Sequence, residues 1–351
     1  MKGRTVALDR LGGAEAAALL EDGRLSDLLV APPDPALAPG AIHRAVVGRP
    51  MKGQGGAMLR LAGGATAFLR QAKGRSPGEA ITVQVTAHAE PGKAPPVTDR
   101  LLFKGRHAIV TPDAPGINVS RRLKDEAERG RLLAIARDAM GDGPMGLILR
   151  SAAEGAPADA VAADIEALRD LAAAVTAEAG REPELLVEAD GPHALAWRDW
   201  ADPADLDDAA GAFERHGVWD ALEALRGPRV ALPEGSIFVE PTRALVAVDV
   251  NTGGDASPAA GLKANLAGAR ELPRQLRLRG LGGQVTLDPA PMTKRDRVAF
   301  EVALRAAFRA CPVETTLVGW TPLGHYELTR RRERWPLADR LLAASEGETL
   351  R

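Results

Sequence analysis

Residues 244–254 read ALVAVDVNTGG and residues 276–288 read LRLRGLGGQVTLD. Each stretch carries a short apolar run that closes on an aspartate, Asp249 in the first and Asp288 in the second. The segment between them has helical spacing, several arginines and two terminal glycines. A carboxylate at the carboxyl end of a buried strand is held rigidly while facing out of the core. Two such carboxylates on neighbouring strands suit a hard, oxygen-seeking cation such as magnesium. Asn251 follows two residues beyond Asp249. A bound phosphate adds negative charge to a site that already carries it, so cations are required nearby. Arg270, Arg274, Arg277 and Arg279 are the candidates, and the pattern points to phosphodiester chemistry.

Working outward, the α/β rhythm starts at Gly235. It gives strands SIFVEP and ALVAVDV, a helix over Gly261–Leu278 that Pro273 interrupts, strand GGQVTLD, a helix over Arg295–Ala310, strand TTLVGW, and a basic helix around Tyr326–Arg334. Strands alternating with helices of this length predict a layered α/β catalytic domain. At the other end, residues 1–30 read as a strand (Thr5–Leu8), a helix opened by two glycines (Ala14–Glu21) and a strand (Asp27–Val30), a fragment that needs a partner elsewhere. The linker APPDPALAPG, residues 31–40, can be neither helix nor central strand. Beyond it, residues 41–98 alternate short β-like runs with Gly-rich turns, the pattern of a small barrel. Phe68 is its one aromatic, either a core residue or a base-stacking platform. Residues 125–140 and 157–180 read as helices, the second with a Val161, Ile165, Leu168, Leu171, Val175 stripe. Arg150 and Ser151 end an apolar strand, and Arg121 and Arg122 follow another. Arginines so placed serve either as solvated surface or as a phosphate pocket.

At 351 residues the chain is too long for one ordinary domain. Its net charge of −2 hides a lopsided distribution. Residues 151–220 carry 17 acidic against 4 basic side chains, whereas 260–310 carry 4 against 10, which puts the expected anion-binding face in the second stretch. The single Cys311 excludes an intrachain disulfide and a multi-cysteine metal site within the chain. No apolar run reaches membrane-spanning length and the N-terminus lacks a signal-peptide pattern, so a soluble, cytoplasmic protein without a membrane partner is expected. The acidic run Asp202–Asp208 lacks the glycine and glutamate of a calcium loop. The six histidines are scattered, and none is assigned to catalysis.

The segments VAVDVNTGG, PRQLRLRGLGGQVTLD and GHYELTRRR together resemble the ribonuclease E/G family of bacterial endoribonucleases. LPEGSIFVEPTRALVAVDV resembles the entry to that family's catalytic domain. GRHAIVTP, NVSRRL and MGLILRSA are similar to its pocket for an RNA 5′ monophosphate. The resemblance implies a multidomain α/β fold: an RNase H-like scaffold from 1–37 plus 185–232, an oligonucleotide-binding barrel at 38–100, a 5′-sensor subdomain at 101–184, and a DNase I-like catalytic domain at 233–351. It implies a magnesium-dependent, single-strand endoribonuclease giving 5′-phosphate products in RNA processing or decay, the other reading being a non-catalytic RNA-binding descendant. Asp249 and Asp288 would hold Mg2+, with Asn251 orienting that pair. Phe68, Lys93, Arg277 and Arg279 would contact RNA, and Gly105, Ile109, Arg121, Arg122, Arg150 and Ser151 would form the sensor. The chain departs from the pattern at Pro291, where a second Asp is usual, at Gly280 in place of Asp, at Glu314 in a basic position and at Met58 in place of a stacking Phe. It lacks the paired cysteines of the family's zinc-linked dimer and any long tail, so a short form without that link is expected, its oligomeric state open.

Overall fold

The computed structural model describes residues 3–51, 55–202, 204–255 and 257–341. The chain divides into two compact units, Met1–Pro32 with Ala204–Arg351, and Pro33–Pro203 between them. The first opens with strands β1 (Arg4–Leu11), β2 (Ala14–Glu21) and β3 (Arg24–Val30), an antiparallel meander. The helix expected over Ala14–Glu21 is therefore a strand. Its alanines favour a helix locally, but Gly12 and Gly13 both take positive φ, 54° and 77°, the geometry of a tight hairpin turn. Ala16–Leu20 are buried in one unbroken run, as a strand covered on both faces must be.

The second unit begins with β4 (Ile42–Pro50), β5 (Ala57–Arg60), β6 (Thr66–Leu69), β7 (Ala80–Val85) and β8 (Pro96–Thr98). They pair in the order β4-β5-β6-β8-β7, and β7 returns to β4, closing a five-stranded barrel where a small barrel was expected. Small apolar residues such as Ala45, Val47, Leu59, Ala67 and Val83 fill its interior.

A second sheet follows, from β9 (Phe103–Lys104), β10 (Ala108–Thr111), β11 (Gly116–Val119) and, after helix α1 (Glu126–Met140), β12 (Gly146–Leu149). Its order is β11-β12-β10-β9. Helix α2 (Ala158–Thr176) packs on it through Val161, Ile165, Ala172 and Val175. Leu171 of the expected stripe is 40% exposed, because at 3.6 residues per turn it lies about 80° away from Val161. The unit ends with β13 (Glu184–Val187) and α3 (Pro192–Asp199). The segment 185–232, expected to complete the first three strands, is divided between the units. Its beginning pairs with barrel strand β4. Its later part returns to the first unit as β14 (Asp205–Asp207), parallel to β1, with helices α4 (Ala212–Arg215) and α5 (Val218–Ala224) on the same core.

The remainder is a six-stranded sheet of β15 (Arg229–Ala231), β16 (Ser236–Pro241), β17 (Val246–Asn251), β18 (Gly283–Asp288), β19 (Thr315–Trp320) and β20 (Tyr326–Arg330), in the order β15-β16-β17-β18-β20-β19. Helix α6 (Pro258–Leu278) connects the parallel pair β17 and β18, and α7 (Lys294–Ala310) follows β18. Helix α6 runs unbroken through a buried Pro273. The basic helix expected around Tyr326–Arg334 is strand β20. Tyr326, Leu328 and Arg330 are buried in alternation, the period of two that a strand with one covered face requires. Among the described residues no helix is long and apolar enough to cross a membrane.

Candidate active site

Strand β17 alternates strictly at its end: Val248 and Val250 are buried, Asp249 and Asn251 exposed. Residues two apart in a strand share a face, so Asn251 stands beside Asp249, and its Nδ2 donates to Asp249 Oδ2 at 2.6 Å. On the neighbouring strand Asp288 is the register partner of Asp249. Adjacent strands lie roughly 4.8 Å apart, which sets the two carboxylates side by side at the carboxyl edge of a parallel pair. His325, two residues beyond the turn that precedes β20, places Nε2 3.7 Å from Asp288 Oδ1. The sequence reading left every histidine out of the site; antiparallel pairing of β18 with β20 brings this one in.

The loop after Asp288 is fixed from helix α6. Buried Asn265 accepts from the Ala290 N–H and donates to the Ala290 carbonyl, both at 2.9 Å. A side chain at Gly261 would come within 2.8 Å of the Pro291 carbonyl oxygen. The Pro-Ala-Pro loop is thus seated against one helical turn. Thr293 then caps α7, accepting from the Asp296 N–H at 3.2 Å.

The arginines expected to supply positive charge lie elsewhere. Helix α6 leads away from the carboxylates, and Arg277 lies about 18 Å along its axis from Asn265. Arg274 donates to the Leu25 carbonyl and pairs with Glu271 at 2.5 Å. Arg277 donates to the Ser26 carbonyl at 3.1 Å and to Cys311 Sγ at 3.2 Å. Burial pushes the Cys311 thiol up, but Arg330 and Arg277 outweigh it and hold it below its usual range. Arg279 is 8% exposed and donates to the Leu225 carbonyl at 2.8 Å and to Gln275 at 3.2 Å; burial lowers its guanidinium from the ordinary value. In this structure Arg277 and Arg279 tie α6 to its own unit, to β3 in the first case and to the end of α5 in the second. Arg270 is exposed on the same helix.

Helix α7, which starts at Lys294 after the loop that follows Asp288, adds further cations. Lys294 and Arg295 are exposed in its first turn, and the Arg297 guanidinium sits 4.5 Å from the Trp320 ring. Basic residues in a first turn oppose the helix dipole. That placement, legible in MTKRDR, leaves both side chains without a stabilising role in the helix itself.

In the second unit, Phe68 alternates with buried Ala67 and Leu69 and faces out of the barrel, half-buried, with Met58 and Pro96 as its register partners. A side chain at Gly56 would strike its ring at 2.6 Å. Lys93 is exposed and paired with Glu90 at 2.6 Å. Register brings Gly105, Arg121, Arg122, Arg150 and Ser151 to one end of the second sheet, with Ile109 half-buried on β10. Some donors there are engaged by the chain's own acids. The Asp164 carboxylate accepts from the His107 and Ala108 N–H groups at 2.7 and 3.2 Å. Arg150 donates to the Gly105 carbonyl and pairs with Asp199 at 2.8 Å. Burial raises the Asp199 carboxyl, but the bonds and charges of Arg198 and Arg150 outweigh it and leave it below the usual range.

Comparison with known proteins places these features in context. The model of the ribonuclease E/G family matches residues 103–207 and 204–333. Ribonuclease E of Nostoc sp. is 31% identical over 300 residues, 74% of this chain and 44% of that protein. Ribonuclease G of Salmonella typhimurium is 27% identical over 297 residues, and that of Escherichia coli K12 28% over 298, each match taking in 73% of this chain and 60% of the relative. The chain thus spans about half the length of the relatives it matches.

Proposed function

The chain belongs to the ribonuclease E/G family, and from that premise we propose that it is a magnesium-dependent endoribonuclease that cuts single-stranded RNA and leaves 5′ phosphates. The observation that carries the proposal is the in-register pairing of Asp249 with Asp288. Among the described residues no group of three or more His, Cys, Asp or Glu is placed to share one ion. Magnesium is commonly held by only one or two carboxylates, the rest of its shell being water and substrate phosphate, so the two aspartates fit it. They would hold the ion, and Asn251 fixes the Asp249 carboxylate by the 2.6 Å bond. When bound, magnesium lowers the pKa of a water and neutralises charge on the phosphodiester. Lys294 and Arg295 offer the phosphate a positive edge, and His325 orients Asp288. The fold implied by family membership is an RNase H-like scaffold with a DNase I-like catalytic sheet. Phe68 and Lys93 are the proposed barrel contacts to RNA, and the Arg150 end of the second sheet is the proposed 5′-end pocket.

Cleavage of a 5′-monophosphorylated, A/U-rich oligonucleotide in magnesium tests this. Metal-assisted charge stabilisation amounts to several kcal/mol, so Asp249→Asn and Asp288→Asn proteins should each lose at least about 100-fold in rate, and mass spectrometry of products should find 5′ phosphates. Equal cleavage by the variants refutes the proposal. The chain's prolines where a second loop Asp is usual support a second reading, a non-catalytic RNA-binding protein. That reading predicts RNA binding indifferent to magnesium and to both substitutions.

A further inference from the structure

Arg106 and Trp197 make a surface feature that the cleavage chemistry leaves unused. Trp197, on α3, is 61% exposed, an unusual place for the largest apolar side chain in a chain with only 3% aromatic residues. It is nevertheless held. The Arg106 guanidinium sits 5.0 Å from the indole centroid and donates to the main-chain carbonyls of Trp197 and, at 3.3 Å, Ala201. A cation clamped by two carbonyls fixes the ring from one side, while most of the indole faces water.

Charge decides what can cover it. Arg150 and Arg198 close by are paired with Asp199 and Asp190. Arg106 has no carboxylate partner among the described residues, and neither do Arg121 and Arg122, which are exposed. Sheet register groups these three. Arg106 lies two residues before Ala108 and Arg121 two residues after Val119, and Ala108 and Val119 both pair with Leu149. An apolar protein partner would have to bury three guanidiniums whose charge no carboxylate offsets to reach the indole. A single-stranded nucleic acid brings a flat base for the ring and phosphates for the charges.

We propose that Trp197, backed by Arg106, is a stacking platform for one unpaired base of RNA, with Arg121 and Arg122 holding the adjoining phosphates. This rests on the reading that the ligand is RNA, and is independent of cleavage. The test is fluorescence anisotropy without magnesium, on protein carrying Asp249→Asn, with a 5′-hydroxyl oligoadenylate of twelve residues and an abasic oligomer of equal length. Adding Trp197→Ala should weaken oligoadenylate binding roughly 5- to 100-fold, Trp197→Phe should stay close to the parent, and the abasic oligomer should bind all three alike. Unchanged oligoadenylate affinity in Trp197→Ala overturns the platform and leaves the indole to a protein contact. Equal loss of both probes, or no binding by the parent, overturns it as well. Trp197-dependent binding together with no cleavage by the chain with Asp249 intact in magnesium would refute the nuclease alone, and cleavage by that chain with RNA affinity that ignores Trp197 would refute the platform alone.

Discussion

Two aspartates set side by side repel, and neither can lower that repulsion by moving when its strand is locked in a sheet. In the proposed site a bound cation would remove the conflict; Asn251 holds one carboxylate, His325 lies near the other, and Asn265 fixes the loop after Asp288. Other residues of the same motif have structural work. Arg279→Ala would leave the buried Leu225 carbonyl without its donor, at a cost of about 1–3 kcal/mol. A lowered urea midpoint with unchanged RNA affinity of the folded protein is therefore expected; lost affinity at unchanged stability would restore Arg279 to the RNA face. Gly280 is likewise explained by packing. Its φ is +64°, and a Cβ there would lie 2.1 Å from the Trp335 carbonyl oxygen, so the Asp usual in the family does not fit. The strand-end positions of Asp249 and Asp288, and the place of Asn251 beside the first, could be read from sequence because an apolar run closing on a polar residue was enough. The bonds of Arg274, Arg277 and Arg279 to their own unit could not be read, because an identical LRLR spacing serves a phosphate or a neighbouring strand.

Among the elements, β2 and β20 show what local pattern leaves open. AEAAALLE is helical by propensity and became a strand because the Gly12–Gly13 turn and two flanking strands overrode it. YELTR carried its answer in the alternation of Tyr, Leu and Arg, obscured by the basic run that follows. The junction of β14 with α4 makes a prediction at this scale. The hydrogen bond from Arg215 leads, with those of His216 and the Ala209 N–H, in holding the half-buried Asp207 carboxyl down to about 2, below the roughly 3.9 of an unfolded chain. Its stabilising contribution is present above the unfolded value and disappears as pH falls through about 2. Asp207→Asn protein should thus be less stable than the parent at pH 6, with the gap closing in urea titrations towards pH 2. A gap independent of pH would assign the effect to packing.

For the molecule as a whole, one unit is inserted into the other. The first crossing was marked by the Pro-rich linker near residue 33, whereas the second, near 203, lies inside a stretch of uniform acidic composition and gave no sign. This explains why β13 was expected with the first strands and pairs with the barrel. The barrel itself was legible because short strands and glycine turns repeat along it. The central claim, that remote segments converge on one metal site, is tested most directly by manganese binding followed by electron paramagnetic resonance, with manganese standing in for magnesium. One ion per chain is predicted, lost in both Asp249→Asn and Asp288→Asn proteins and weakened roughly 10- to 100-fold in Asn251→Ala. Binding that survives either aspartate substitution unchanged would contradict the account.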